Sequence, residues 1–166
     1  QGTTLIVAPT SLVFNWKAEA KRFTPRLSVL VYTGPDRHKL LKDFEQYDLV
    51  LTTYGLLRRD IPSLKDISFH YAVLDESQMI KNHKAQTSRA ARLLQARNKL
   101  CLTGTPLENH AGELWSQMEF LNPGLLGNWS LFERRYLKPL SKGDQEARKK
   151  LVKMIHPFIL RRTKEE

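Results

Sequence analysis

The chain has 166 residues, 41% of them hydrophobic and 27% charged, enough for one domain with a sizeable core and an appendage. No apolar run approaches the roughly 20 residues of a membrane helix, so no membrane partner is expected. The single cysteine, Cys101, excludes an internal disulfide and a thiolate metal cluster, and fits a reducing cytoplasm (a bacterial nucleoid included) or a nucleus. The net charge is +10, and the excess is uneven: residues 127–166 carry 11 Lys/Arg against 5 Asp/Glu, whereas residues 1–126 carry 16 against 12. A basic balance favours polyanions through phosphate neutralisation and counterion release, but charge alone does not separate a nucleic-acid partner from a solvated basic face.

Gln1-Gly2-Thr3-Thr4 runs straight into the apolar strand Thr4–Ala8, with no charged leader ahead of it, as expected of a chain cut from a longer protein. Pro9 punctuates this strand. Thr10 or Ser11 is then placed to cap a helix over 12–23, with Leu12, Phe14, Trp16, Ala20 and Phe23 on its apolar face and Lys17, Glu19, Lys21 and Arg22 toward water. A strand over 27–32, a turn at Thr33-Gly34-Pro35 and a short helix over 36–45 follow. Next come a strand over 48–53 ending in Thr52-Thr53, a strand over 69–74 (Phe-His-Tyr-Ala-Val-Leu), a helix over 88–96 and a strand over 99–103. Strand–helix alternation at these spacings predicts βαβ units and a mostly parallel sheet. Beyond Pro106, Leu114, Trp115, Met118, Phe120 and Leu121 recur at helical spacing, Asn122-Pro123-Gly124 breaks the chain, and helices are expected over 132–137 and 145–155. The expected division is a lobe over 1–127 and a basic helical extension over 128–166.

Three strands end in polar residues: Thr52-Thr53, Asp75-Glu76 and Thr103-Gly104-Thr105. Ligands of open parallel sheets sit beyond the carboxyl ends of the strands, so all three endings are predicted to line one edge. Asp75-Glu76, directly after Tyr71-Ala72-Val73-Leu74, suits a Mg²⁺–nucleotide site: Asp75 to hold the metal through its water shell, Glu76 to orient a water toward a γ-phosphate. The alternative for an isolated acidic pair is the cap of the following turn. Gly104 would permit a close backbone approach, and the Thr103 and Thr105 hydroxyls can bond carboxylates or water across the edge; the plain alternative is a turn. The hydroxyls of Pro9-Thr10-Ser11 and Thr52-Thr53 suit phosphate oxygens of a nucleic-acid backbone, with helix capping as the competing reading. The five histidines show no metal-ligand spacing, Cys101 reads as a packed strand thiol, and Trp16 and Trp115 read as core. No G-x-x-x-x-G-K-S/T phosphate loop occurs in the sequence.

Thr4 to Phe23 (TLIVAPTSLVFNWKAEAKRF), Val50 to Leu56 (VLTTYGL), Val73 to Asn82 (VLDESQMIKN), Leu100 to Asn109 (LCLTGTPLEN), Leu114 to Gly127 (LWSQMEFLNPGLLG) and Pro157 to Lys164 (PFILRRTK) together resemble the SWI/SNF-type DNA-translocating ATPases of helicase superfamily two. They match motifs Ia, Ib, II and III in order, then the helical insertion and a basic R-R-x-K stretch. The resemblance implies a partial RecA-like three-layer α/β lobe with a C-terminal helical extension, using ATP and Mg²⁺. It implies Asp75 as the metal contact, Glu76 as the base for water, Gln78, Thr103, Gly104 and Thr105 as the coupling group, and Pro9, Thr10, Ser11, Thr52 and Thr53 as trackers of a double-stranded DNA backbone. It also implies a second RecA-like lobe in cis that supplies an arginine finger, and DNA-bound protein targets such as RNA polymerase or nucleoid and chromatin proteins. Motif II usually ends A-H or G-H; Ser77-Gln78 stands there instead, and a Gln can hydrogen-bond but carries no proton. Without a phosphate loop or second lobe, this stretch alone is expected neither to bind ATP tightly nor to hydrolyse it. A non-catalytic DNA- or protein-binding module derived from such a lobe is the alternative.

Overall fold

The computed structural model describes residues 2–104 and 111–162. Five strands, β1 (Thr4–Ala8), β2 (Val29–Val31), β3 (Leu49–Thr53), β4 (Ser68–Leu74) and β5 (Gln95–Cys101), form one sheet in the order β2-β3-β1-β4-β5. Every pairing is parallel. The central strand β1 is apolar from Leu5 to Ala8 because both its faces are covered. Leu5 and Val7 pack with Val50, Ala72 and Leu74 into a cluster with Tyr54, Leu57 and Leu64 of α2 (Tyr54–Leu64), Ala90 and Ala91 of α3 (Gln86–Leu93) and Phe120 of α4 (Ala111–Leu121). Ile6 and Ala8 face the other way, against Val13 and Trp16, with Val13 at the start of α1 (Val13–Phe23). The unit is therefore a three-layer α/β sandwich.

Several local readings are corrected. Neither Thr10 nor Ser11 caps α1 with its side chain; residues Thr10–Leu12 form a 3-10 turn that runs into the helix. The buried stripe of α1 is Val13 and Ala20, flanked by Leu12 and Trp16, while Phe14 and Phe23 are each 67% exposed. A face drawn through the aromatic residues thus points about 100° away from the face the sheet covers, since neighbouring helical positions differ by that angle. The helix α3 stops at Leu93, and β5 starts at Gln95, six residues before Cys101. Its polar Gln95-Ala96-Arg97-Asn98 half was hidden from pattern reading because an edge strand in this sheet is only half covered. α2 presents Tyr54, Leu57, Ile61 and Leu64 at helical spacing, a stripe interrupted by Arg58, Arg59 and Pro62, and it is launched by Thr53, whose hydroxyl accepts from the Leu56 N–H at 3.2 Å.

Residues 1–125 make one compact unit and residues 126–166 a second. In the second, α5 (Trp129–Phe132), a π-helical turn (Glu133–Leu137) and α6 (Lys138–Ser141) run end to end, so the expected helix over 132–137 is the middle of a longer one. Asp144 caps α7 (Gln145–Ile155), accepting from the Glu146 and Ala147 N–H groups at 2.9 and 3.0 Å.

One buried ion pair braces the first unit. Arg37 reaches Asp60 of α2 through both Nε (2.5 Å) and Nη2 (2.8 Å) and donates from Nη1 to the carbonyl of Gly34 at 3.0 Å, in the turn where that glycine's φ is +88°. The guanidinium hydrogen bonds hold the Asp60 carboxyl below the usual carboxylate range, against the opposing effect of burial. A carboxyl depressed in the folded state contributes stability above its unfolded value of about 3.9, and that stability is lost as pH falls through the folded value. We predict that Asp60→Asn, in urea denaturation, is clearly less stable than the parent at pH 7, and that the gap narrows by pH 3. A gap of the same size at both pH values would show that the pair does not act through ionisation.

Candidate nucleotide site at the carboxyl edge

Register decides where the site lies. Val7 of β1 pairs with Thr52 on one side and Leu74 on the other, and Leu74 pairs with Cys101. The next residue of each strand therefore falls on one level. Backbone hydrogen bonds carry the alignment past the strands proper: Asp75 N–H to the Val7 carbonyl at 2.8 Å, Leu102 N–H to Leu74 at 2.8 Å, and Ser77 N–H to Leu102 at 2.9 Å.

At this edge Asp75 and Glu76 are half-buried. The two oxygens of Asp75 are oriented separately. Oδ1 accepts from the Glu76 N–H at 2.9 Å, and Oδ2 accepts from the indole Nε1–H of Trp16 at 2.8 Å. The Tyr54 hydroxyl donates to the backbone carbonyl of Asp75 at 2.5 Å. Burial pushes the Tyr54 phenol far above its ordinary value, so it remains a donor at any physiological pH.

Glu76 has φ +49° and ψ +54°, the one non-glycine residue with positive φ among the described residues. A left-handed conformation costs an ordinary residue about 1 kcal/mol and persists where neighbouring bonds fix it. Here the Glu76 N–H is taken by Asp75 Oδ1, and its carbonyl accepts from Met79 at 3.0 Å. Its side chain is held as well: Gln78 Nε2 donates to Glu76 Oε2, and Gln78 Oε1 accepts from the Thr103 hydroxyl at 3.0 Å. The structure thus joins Glu76, Gln78 and Thr103, from the ends of two adjacent strands, in one chain of hydrogen bonds. Ser77 is buried between them and the helix behind, donating to Gln117 Oε1 of α4 at 3.1 Å.

The other sequence candidates fall differently. Thr10 and Ser11 are exposed and Pro9 half-buried at the same edge. Thr52 is fully buried, with its hydroxyl donating to the Tyr32 carbonyl at 3.1 Å, and Thr53 is buried as the cap of α2. Both hydroxyls are committed inside the fold, so their side chains are struts rather than a surface. Among the described residues nothing lies within 4 Å of where a Gly104 Cβ would stand. Thr105 lies outside the described residues. Burial pushes the Cys101 thiol up to about 12, as for a packed rather than a reactive cysteine.

Two residues at the site were not singled out from sequence. Apolar spacing places Trp16 in the core, yet an indole N–H at a half-buried position needs an acceptor, and that need is a readable signal. Tyr54 directly follows a strand end, where a phenol has the same requirement. Among the described residues no group of three or more His, Cys, Asp or Glu could hold a metal alone. A single oriented carboxylate is instead the donor set expected for Mg²⁺, which keeps most of its waters and takes further oxygens from substrate phosphates.

A doubly wound parallel lobe with a braced acidic pair bridged to a threonine turn on the next strand defines a RecA-like lobe of the ATP-dependent helicase class. The chain belongs to the SNF2-related domain family, whose profile matches residues 1–166. It is similar to a candidate ATP-dependent helicase/translocase, YwqA, of Bacillus subtilis, with 43% identity covering 98% of this chain and 18% of that protein. It is also similar to TATA-binding protein-associated factor 172 of Homo sapiens, with 38% identity covering 98% of this chain and 10% of that protein. Among solved structures it is similar to the SWI2/SNF2 ATPase core of Sulfolobus solfataricus in complex with dsDNA, at 43% identity and a TM-score of 0.92 over 99% of this chain and 34% of that one. A second structure of that core domain superposes with a TM-score of 0.88. The chain thus spans about a third of the solved cores and under a fifth of these curated relatives.

The turn at Glu76 needs a left-handed residue, a conformation that asparagine adopts more readily than glutamate, so that replacement should be cheap for the fold. Glu76→Asn, which suits the left-handed region, is expected to leave the unfolding free energy within about 1 kcal/mol of the parent or to raise it. A loss of several kcal/mol in chemical denaturation would show that Glu76 is a structural rather than a functional residue.

Proposed function

We propose that this chain is part of the first RecA-like lobe (residues 1–127, with a basic helical extension over 128–166) of an ATP-driven translocase on double-stranded DNA that displaces or remodels DNA-bound proteins. The observation that carries the reading is the hydrogen-bonded series Thr103–Gln78–Glu76 beside an Asp75 whose two carboxylate oxygens are separately oriented. Asp75 would hold Mg²⁺ through its water shell, and the metal, when bound with ATP, would neutralise charge on the phosphates. Glu76 keeps Oε1 clear of the Gln78 bond and would accept the proton of an attacking water there. Gln78 and Thr103 would report the state of Glu76 to the strand end beyond it, with Gly104 and Thr105 continuing that path.

The DNA contact is assigned to Pro9 with the exposed Thr10 and Ser11 and to the backbone at the α2 N-terminus rather than to the Thr52 and Thr53 hydroxyls. The solved relative held with dsDNA supports a duplex partner, and the relatives described as TATA-binding protein-associated factors support DNA-bound proteins as targets. Such a motor would act in the bacterial cytoplasm or in a nucleus. No helix among the described residues is long and apolar enough to cross a membrane. A phosphate loop and an arginine from a second lobe would have to come from outside this stretch, so residues 1–166 alone would not turn over ATP. The non-catalytic alternative leaves the free Oε1 of Glu76 and the oriented Asp75 without a use.

In the complete protein, Glu76→Gln should abolish DNA-stimulated ATP hydrolysis, by at least about a hundredfold for a lost general base, while ATP binding persists. Normal turnover would refute the assignment. DNA affinity should fall steeply with added salt and vary little with base sequence; strong sequence preference at constant salt would count against backbone tracking.

A further inference from the structure

The donors of two hydrogen bonds at the site, Trp16 and Tyr54, have been given no role of their own. Trp16 donates from its indole to Asp75 Oδ2 at 2.8 Å, and Tyr54 donates from its hydroxyl to the Asp75 carbonyl at 2.5 Å. Apolar packing would be served equally by phenylalanine at either position, so the polar atoms need their own account. Their locations give one. Trp16 lies on α1, five residues beyond Ser11, and Tyr54 is the first residue of α2, directly after Thr53. Each therefore stands at the start of a helix that begins at the carboxyl edge, one behind each segment assigned to the DNA backbone.

We infer that Trp16 and Tyr54 are positioning residues that fix the Asp75 carboxylate and backbone, and so make the metal-facing acid sensitive to what the first turns of α1 and α2 touch. The inference rests on the reading of Asp75 given above. The physical argument is one of rigidity and range. With Oδ1 on the Glu76 N–H and Oδ2 on the indole, the carboxylate plane has no free rotation, yet each oxygen retains a lone pair for a metal-bound water. From Ser11 to Trp16 the path is a 3-10 turn continuing directly into α1, so a displacement at the exposed end reaches the indole nearly undiminished. A shift of about 1 Å stretches a 2.8 Å hydrogen bond beyond useful length. Tyr54 guards the same residue from the other side: its buried hydroxyl ties the Asp75 carbonyl to the α2 N-terminus. Neither residue touches the reacting atoms; both act through Asp75.

The test uses the complete protein and measures the Mg²⁺ concentration needed for half-maximal binding of a non-hydrolysable ATP analogue, with and without duplex DNA. Trp16→Phe keeps the aromatic body and removes the donor. It should raise the required Mg²⁺ roughly three- to tenfold, the loss expected for one hydrogen bond to a charged group acting partly on binding. It should also erase the difference between DNA-bound and DNA-free protein. Tyr54→Phe should move both readings in the same direction by less, and Trp16→Phe added to Asp75→Asn should change nothing further. If Trp16→Phe does not fold, Tyr54→Phe decides alone, since it removes a single oxygen. Wild-type Mg²⁺ dependence and DNA sensitivity in these variants would overturn the inference. An unchanged Mg²⁺ requirement in Asp75→Asn itself would instead overturn the reading of Asp75, so the two failures are told apart.

Discussion

The level alignment of four parallel strand ends is the constraint on which this site depends. Parallel pairing gives evenly spaced, slanted hydrogen bonds, and here the ladder continues one residue past β4 and β5 through Asp75 to Val7 and Leu102 to Leu74. That continuation delivers Asp75 at the mouth of the sheet with its backbone already satisfied. The chain can then turn sharply through a left-handed Glu76 without leaving a buried amide unpaired. Slip β4 by one residue and Asp75 would exchange places with Leu74, pointing an acid into the cluster formed by Leu5, Val7 and Tyr54. The apolar pattern of the strand thus fixes the position of the acids as firmly as it fixes the core.

Gln78 changes the character of the link between the acidic pair and the next strand. A histidine at this place would titrate near neutral pH and change its hydrogen-bonding pattern as it did so. The amide is a donor on one side and an acceptor on the other at every pH, and its orientation follows from its partners: a carboxylate demands the N–H₂ end, which leaves the carbonyl for the Thr103 hydroxyl. The series is therefore directional and proton-independent. What varies along it is geometry, so it suits transmission of a movement at Glu76 rather than of a charge.

Legibility from sequence followed burial on two faces. Thr4–Ala8 and the Val73-Leu74 end of β4 were readable because continuous apolar runs allow little else, and the convergence of Asp75, Glu76 and Thr103 followed from them. β5 was misjudged at its start because Gln95-Ala96-Arg97-Asn98 lies on an edge, where half-exposure loosens the pattern. The α1 face was misjudged because Phe14 and Phe23 outweigh Val13 and Ala20 in any count of hydrophobicity, although the small residues are the ones that fit against the sheet. Thr52 resembles a surface contact because a hydroxyl at a strand end looks available; its commitment to the Tyr32 carbonyl is a tertiary fact that local spacing does not carry. Trp16 and Tyr54 escaped for the same reason, since their roles depend on the acceptor at the far end of the bond.

The side chains that brace the acidic pair share one property. Trp16, Tyr54, Gln78 and, through it, Thr103 are neutral donors, and among the described residues no lysine or arginine is ion-paired with Asp75 or Glu76. Neutral dipoles orient a carboxylate without cancelling its charge, whereas an ion pair such as Arg37–Asp60 spends that charge on the fold. Two acids side by side with no cationic partner among the described residues would repel a triphosphate, so on the proposed reading a nucleotide would approach this edge in company with a cation. On the reading proposed for this edge, the braces would hold the pair in a fixed geometry and leave its charge for a divalent ion arriving with the phosphates.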